Sequence, residues 1–299
     1  MNRGIWNGLG AYILWGFFPI YWKLLHKVPA LEVIGHRISW SFILLVAVIL
    51  LTRQWGEFRS AAFTPKVIAI YAIAGILLSV NWLIYVWGVN SGFIVETSLG
   101  YFINPLVSVL LGVLFLRERL RAMQWVAVGL AAVGVTYLTL TYGRPPWIAL
   151  SLAVSFGVYG LVKKLAPLGS LYGLTLETAL VFPMALSYLV FVESRGTGSF
   201  LHQGALTNIL LISTGVVTSI PLLMFATAAR QIPLTMIGLL QYIAPTLQFL
   251  IGVFLYHEPF DQFRLIGFSL VWLALIIFWA ENYLANRVSV QPIPELGEG

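Results

Sequence analysis

The ionisable residues that could do chemistry in this chain lie inside apolar sequence. Glu32, His36 and Arg37 fall in the run Leu31–Thr52, and Glu177 falls in Tyr172–Val192. A charge placed within a bilayer costs roughly 3 kcal/mol or more unless it is paired or wetted, so each is a functional candidate. Glu32 and His36 are spaced i, i+4 and share a helix face, where they can interact and could serve proton coupling. Arg37 lies deeper. A guanidinium binds a carboxylate through two parallel hydrogen bonds, so Arg37 suits an anion clamp. The competing readings are a structural ion pair for Glu32 and Arg37, or a side chain reaching back to the interface.

Neutral polar residues form the second group. Tyr101, Asn104, Pro105 and Ser108 recur at helical spacing, as do Gln241, Ala244, Pro245 and Gln248. Each proline frees a backbone carbonyl that protein or water must satisfy, and two broken helices at matching positions would mark a binding site. The alternative is polar glue between packed helices. Asn81 and Tyr85 share another face. Trp15 and Pro19, with Ser155 and Tyr159, could complete an aromatic lining, although a mid-membrane aromatic also serves simple packing. Substrate contact is therefore expected from Arg37, Asn81, Tyr85, Tyr101, Asn104, Glu177, Gln241, Trp15 and Tyr159. Coupling is expected from Glu177, Glu32 or His36. Glu96 reads as a helix-capping acid, Glu118 and Glu258 as interfacial acids, and Lys23 and Lys163 as cations at helix ends.

Enzymatic chemistry finds no support. The chain has no cysteine, no H-E-x-x-H and no glycine-rich phosphate loop, and its four histidines are scattered. No cofactor or metal is expected, and nucleotide-driven transport by this chain alone is excluded.

The elements that must position these residues are membrane spans. Only 9% of the 299 residues are charged and 60% are hydrophobic, against about 25% charged in a soluble domain. A span needs roughly 20 apolar residues. Ten segments qualify: Gly4–Leu25, Leu31–Thr52, Val67–Asn90, Thr97–Leu116, Met123–Tyr142, Trp147–Val162, Tyr172–Val192, Leu206–Ala229, Met236–Tyr256 and Phe263–Leu284. Short connectors join them, and residues 285–299 read as a disordered cytoplasmic tail. The net charge of +6 comes from basic residues in the connectors, which argues for topology rather than nucleic acid. Lys and Arg fall eleven to five in favour of the side bearing the N-terminus, which places both termini in the cytoplasm.

The sequence also repeats itself. A shift of 140 residues brings Phe42 onto Phe182, Gly75 onto Gly215, Pro105 onto Pro245 and Glu118 onto Glu258, and it sets Arg37 against Glu177. Residues 1–142 and 143–284 thus form two five-helix repeats. Five spans is an odd number, so the second repeat must enter the membrane upside down. This all-α plan of two inverted repeats commonly encloses a transport site near the midplane. Across that site Arg37 and Glu177 could form a gating or coupling salt bridge, or each could pair with its own neighbours.

The stretches Glu32 to Ser41 and Ser98 to Leu106 resemble signatures of the RarD group, in the EamA branch of the drug/metabolite transporter superfamily. Gln124-Trp125, Ser155 to Leu161 and Gln241 to Thr246 are similar to the same group. The resemblance spans essentially the whole chain. It implies ten helices in two repeats, a bacterial inner-membrane permease and an association with chloramphenicol sensitivity. It implies no particular substrate. The expected partners are a small amphipathic or zwitterionic solute and the lipid bilayer. The expected activity is secondary transport, with an uncoupled facilitator or a lipid flippase as alternatives. Oligomeric state is not legible.

Overall fold

The computed structural model describes residues 3–90, 93–141, 146–255 and 262–288. Tyr142, Arg144, Tyr256, His257 and Glu258 lie outside the described residues, as does the tail from residue 289; so does the side chain of Glu96. The described residues are helical, with no strand among them. In chain order the helices are α1 (Arg3–Gly16), α2 (Phe18–Leu24), α3 (Ala30–Leu51), α4 (Trp55–Ala62), α5 (Pro65–Asn90), α6 (Ile94–Leu116), α7 (Ala122–Thr141), α8 (Trp147–Leu165), α9 (Ser170–Ser194), α10 (Ala205–Gln231), α11 (Leu234–Leu240), α12 (Ile243–Leu250) and α13 (Gln262–Val288). A π-helical turn, Ile251–Leu255, follows α12.

Helix covers most of each expected segment among the described residues, and two of the segments are interrupted. Among the described residues, seven helices are long and apolar enough to cross a membrane: α3, α5, α6, α7, α8, α9 and α10. The others depart for visible reasons. The first segment breaks at Phe17, just ahead of Pro19 near the start of α2. The ninth is split at Gln241–Tyr242, four and three residues before Pro245, where the proline removes a donor and crowds the preceding turn. In α13 the apolar stretch is shorter, Leu265–Glu281. Helix α4 was not expected. Its Phe58 and Ala62 are buried in a cluster with Ile49, Tyr71 and Leu176.

Two compact units are present, Met1–Glu118 with Pro145–Pro259, and Arg119–Arg144 with Phe260–Gly299. In the first, α1 packs on α10 and α12, α3 on α9 and α10, α5 on α8 and α9, and α6 on α8 and α11. Helices α3 and α9 run antiparallel, since Gly35 lies against Leu189 while Phe42 stacks near Phe182 at 4.6 Å between centroids. Small residues permit these close crossings. A Cβ on Gly215 would stand 2.6 Å from the Trp40 carbonyl carbon. Large apolar side chains such as Leu114, Phe115, Met184 and Ile209 stay exposed, as lipid-facing residues should. In the second unit α7 packs on α13, with Gly134 against the Gly267 carbonyl and Arg121 2.8 Å from Glu281.

Candidate functional site

A cavity in the first unit is lined from α3, α5, α9 and α10, and it brings Arg37 and Glu177 together. Its lining contains five pairs of residues related by the 140-residue shift: Arg37 and Glu177, Ile38 and Thr178, Ser41 and Val181, Leu78 and Thr218, Trp82 and Leu222. Gly75, Ser79 and Leu174 complete it.

Arg37 is half-buried on α3. Its Nε donates to Thr218 Oγ1 at 3.0 Å across to α10. Its guanidinium carbon lies 4.7 Å from the Trp22 ring centroid and 4.2 Å from that of Trp82. Such cation–π contacts hold the charged plane while leaving its edge free to donate. Tyr21, Tyr85 and Tyr101 lie within electrostatic reach of it, and the Tyr85 and Tyr101 rings meet edge to face at 5.7 Å. No carboxylate lies within ion-pair distance of Arg37 among the described residues.

Glu177 does not bridge to Arg37. It accepts from Lys163 Nζ at 2.6 Å and from the Tyr159 hydroxyl at 3.2 Å, with the Lys163 and Glu177 side chains only 3% and 2% exposed. Of the two expected arrangements, independent pairing is the one present. Lys163 stands in the last turn of α8, as expected of a cation at a helix end, but it is buried and paired. It reaches inward from the last turns of α8, beside the rings of Tyr71 and Tyr159.

Glu32 is also buried and engaged. Its Oε1 accepts from the backbone N–H of Ser199 at 2.7 Å and of Phe200 at 3.3 Å, and its Oε2 from Ser199 Oγ at 2.9 Å. His36 lies 3.9 Å away and accepts at Nδ1 from Trp40 Nε1 at 3.2 Å, which leaves its Nε2 to face Glu32. The shift relates Glu32 to Tyr172, whose hydroxyl donates toward Gln54 Oε1 at 2.9 Å and Glu57 Oε2 at 3.1 Å. The first turn of α3 thus clasps the connector after α9, and the first turn of α9 clasps the connector after α3.

The remaining expected residues lie away from the cavity lining. Asn81 Nδ2 donates to Leu152 O and Ser155 Oγ, both at 2.9 Å, and so ties α5 to α8. Gln241 Nε2 donates to Ser108 Oγ at 3.1 Å, tying α11 to α6. Among the described residues, the buried Asn104 Oδ1 has no hydrogen-bond partner. Trp15 and Tyr159 join Phe156 and Phe225 in one aromatic cluster, Tyr159 stacking on Phe225 at 5.9 Å. The expectation of two broken helices is corrected. Pro105 sits inside an unbroken α6, and only its equivalent segment breaks, at Gln241–Tyr242. Pro221 likewise sits inside an unbroken α10. Of the two readings of Glu118, solvated or paired, the paired one is present, with backbone donors. The left-handed turn at Arg117 (φ 55°) swings it back to accept from Leu234 N at 2.7 Å and Thr235 N at 2.9 Å, capping α11.

Trp22, Trp82, Thr218 and Lys163 were not anticipated as parts of the site. Trp82 and Thr218 had a usable signal, since the shift pairs each with another lining residue. Trp22 and Lys163 come from helix ends, where sequence favours an interfacial reading.

Comparison with known proteins agrees with the motifs. Residues 2–140 match the EamA-like transporter family. The chain is 49% identical over 295 residues to the uncharacterized transporter YojE of Bacillus subtilis (strain 168), covering 96% of this chain and 97% of that protein. It is 48% identical to protein RarD of Streptomyces exfoliatus, covering 96% and 91%, and 42% identical to protein RarD of Escherichia coli (strain K12), covering 96% and 97%. A solved crystal structure shares the fold at a TM-score of 0.72 and 18% identity, over 96% of this chain and 99% of the other. The chain is thus a multi-pass membrane protein that belongs to the RarD group of EamA-like transporters, within the drug/metabolite transporter superfamily.

Proposed function

We propose that this protein is a secondary transporter that moves a small amphipathic or zwitterionic metabolite across the bacterial inner membrane by alternating access, through the cavity that holds Arg37 and Glu177. In this reading ten spans form two inverted five-helix repeats, and both termini lie in the cytoplasm. The observation that carries the proposal is the cavity lining, in which five residue pairs exchange under the repeat shift. A site that maps onto itself when the halves are exchanged can be opened from either side by equivalent motions. Two further features support the inverted plan. The equivalent helices α3 and α9 cross antiparallel, and the contacts of α1 with α10 and α3 with α10 recur as α8 with α5 and α9 with α5.

The test is substrate-agnostic. Purified protein is reconstituted in liposomes loaded with a bacterial metabolite extract, and release is followed by mass spectrometry with and without an imposed pH gradient. Selective release that responds to the gradient supports a coupled carrier. Gradient-independent release identifies a facilitator, and lipid exchange without solute release identifies a flippase. Vesicles indistinguishable from protein-free ones in both respects overturn the proposal.

A further inference from the structure

We propose that the cavity recognises a small solute bearing one carboxylate on an apolar body, with Arg37 as the carboxylate receptor and no counterpart for an ammonium group. The inference rests on reading this cavity as the transport site, and it narrows the substrate class.

Two ionisable side chains line the cavity, Arg37 and Glu177. One is already neutralised. Glu177 and Lys163 sit 2.6 Å apart, and Tyr159 donates to the other carboxylate oxygen. A buried pair of this kind cancels its own charge, and breaking it to serve a ligand would strand Lys163. Arg37 is different. Its Nε bonds Thr218, and its two terminal nitrogens have no hydrogen-bond partner among the described residues. Two tryptophan rings hold the guanidinium in place, and neither takes up its donors. The lining therefore carries one uncompensated positive charge with a planar donor fork, the geometry that binds a carboxylate bidentately.

The repeat explains why no protein acid fills this role. The equivalents of Lys163 and Glu177 in the first half are Lys23 and Arg37. Where the second half has opposite charges, the first has two cations, and Lys23 is exposed. The position that holds the carboxylate of Glu177 in the second half holds Arg37 in the first, so a counter-ion for Arg37 comes with the solute. An ammonium-bearing solute would find a carboxylate already occupied. Apolar surface from Leu78, Val181 and Leu222 is available to the remainder of the solute.

The test uses the full chain in detergent, read by intrinsic tryptophan fluorescence and by thermal unfolding. The probes are phenylacetate, phenylacetamide, phenethylamine and L-phenylalanine, which share a ring and differ in charge. Phenylacetate should bind about tenfold or more tighter than phenylacetamide, as loss of a charge-assisted hydrogen bond predicts. Arg37→Gln should erase that preference, and Arg37→Lys, which keeps the charge, should retain part of it. Absence of phenylacetate binding, equal binding of the amide or the amine, tighter binding of L-phenylalanine, or an unchanged preference in a folded Arg37→Gln protein would each overturn the inference. Failure of the transport reading shows elsewhere, as liposomes that release nothing. Release of solutes without regard to a carboxylate would keep that reading and end this one.

Discussion

Phe42 and Phe182 meet ring to ring at 4.6 Å between centroids, and a shift of 140 residues turns each into the other. Equivalent residues of a duplicated chain touch only where the two copies cross. Under the proposed two-fold arrangement this contact lies on the axis, with Arg37 and Glu177 a little over one helical turn away on α3 and α9.

Either single substitution of the buried ion pair should be damaging. Glu177→Gln or Lys163→Met leaves a charge without its partner, at a cost of about 3–5 kcal/mol. The double variant should recover much of the loss. Thermal unfolding and size-exclusion profiles of the two single variants and the double variant check this, and a double variant worse than both singles would contradict it.

The equivalent glycines should not respond equally. Gly215→Ala drives a Cβ to within 2.6 Å of Trp40 backbone, whereas Gly75→Ala meets the Val181 side chain at 3.1 Å. Backbone yields less readily than a side chain. Gly215→Ala is expected to cost about 1–3 kcal/mol through overpacking, and Gly75→Ala less. The check is the ranking of their unfolding midpoints in the same detergent.

Capping of α11 by Glu118 gives a local readout. Glu118→Ala removes the acceptor for Leu234 and Thr235, and loss of a cap costs about 0.5–2 kcal/mol. Hydrogen exchange at those two amides should accelerate while α3 and α9 stay protected. Unchanged exchange would mean that the cap does not hold the helix.

Topology follows from the basic-residue asymmetry. Reporter fusions at Arg195 and at the C-terminus should report opposite sides of the membrane, the C-terminus being cytoplasmic. Identical reports would refute the proposed arrangement.

Much of this fold was legible because apolar length and charge placement are one-dimensional signals. The all-helical, membrane-spanning character of the chain could be read from apolar length alone. Partner identity could not. The salt bridge of Glu177 with Lys163 depends on how tertiary packing sets α8 beside the charge on α9, through neighbours both share, and Lys163 at the end of its apolar run gives the same signal as an interfacial lysine. Proline was an ambiguous guide as well. Pro105 and Pro245 are equivalent in sequence, yet α6 stays whole around the first while the chain breaks ahead of the second. The Asn81 and Gln241 amides looked like ligand contacts, but each bonds a neighbouring helix. A polar side chain on an apolar face gives the same pattern in either use.

The clasp at Glu32 bears on how the protein is made. Its donors, Ser199 and Phe200, are synthesised long after α3 has left the ribosome. Until they emerge, the nascent chain carries a carboxylate near one end of α3 with none of those three bonds. The proposed first repeat, inserted alone, therefore lacks the partners of this carboxylate. Splitting the gene between the repeats should yield fragments that are unstable singly and recover only when both are produced in the same cell.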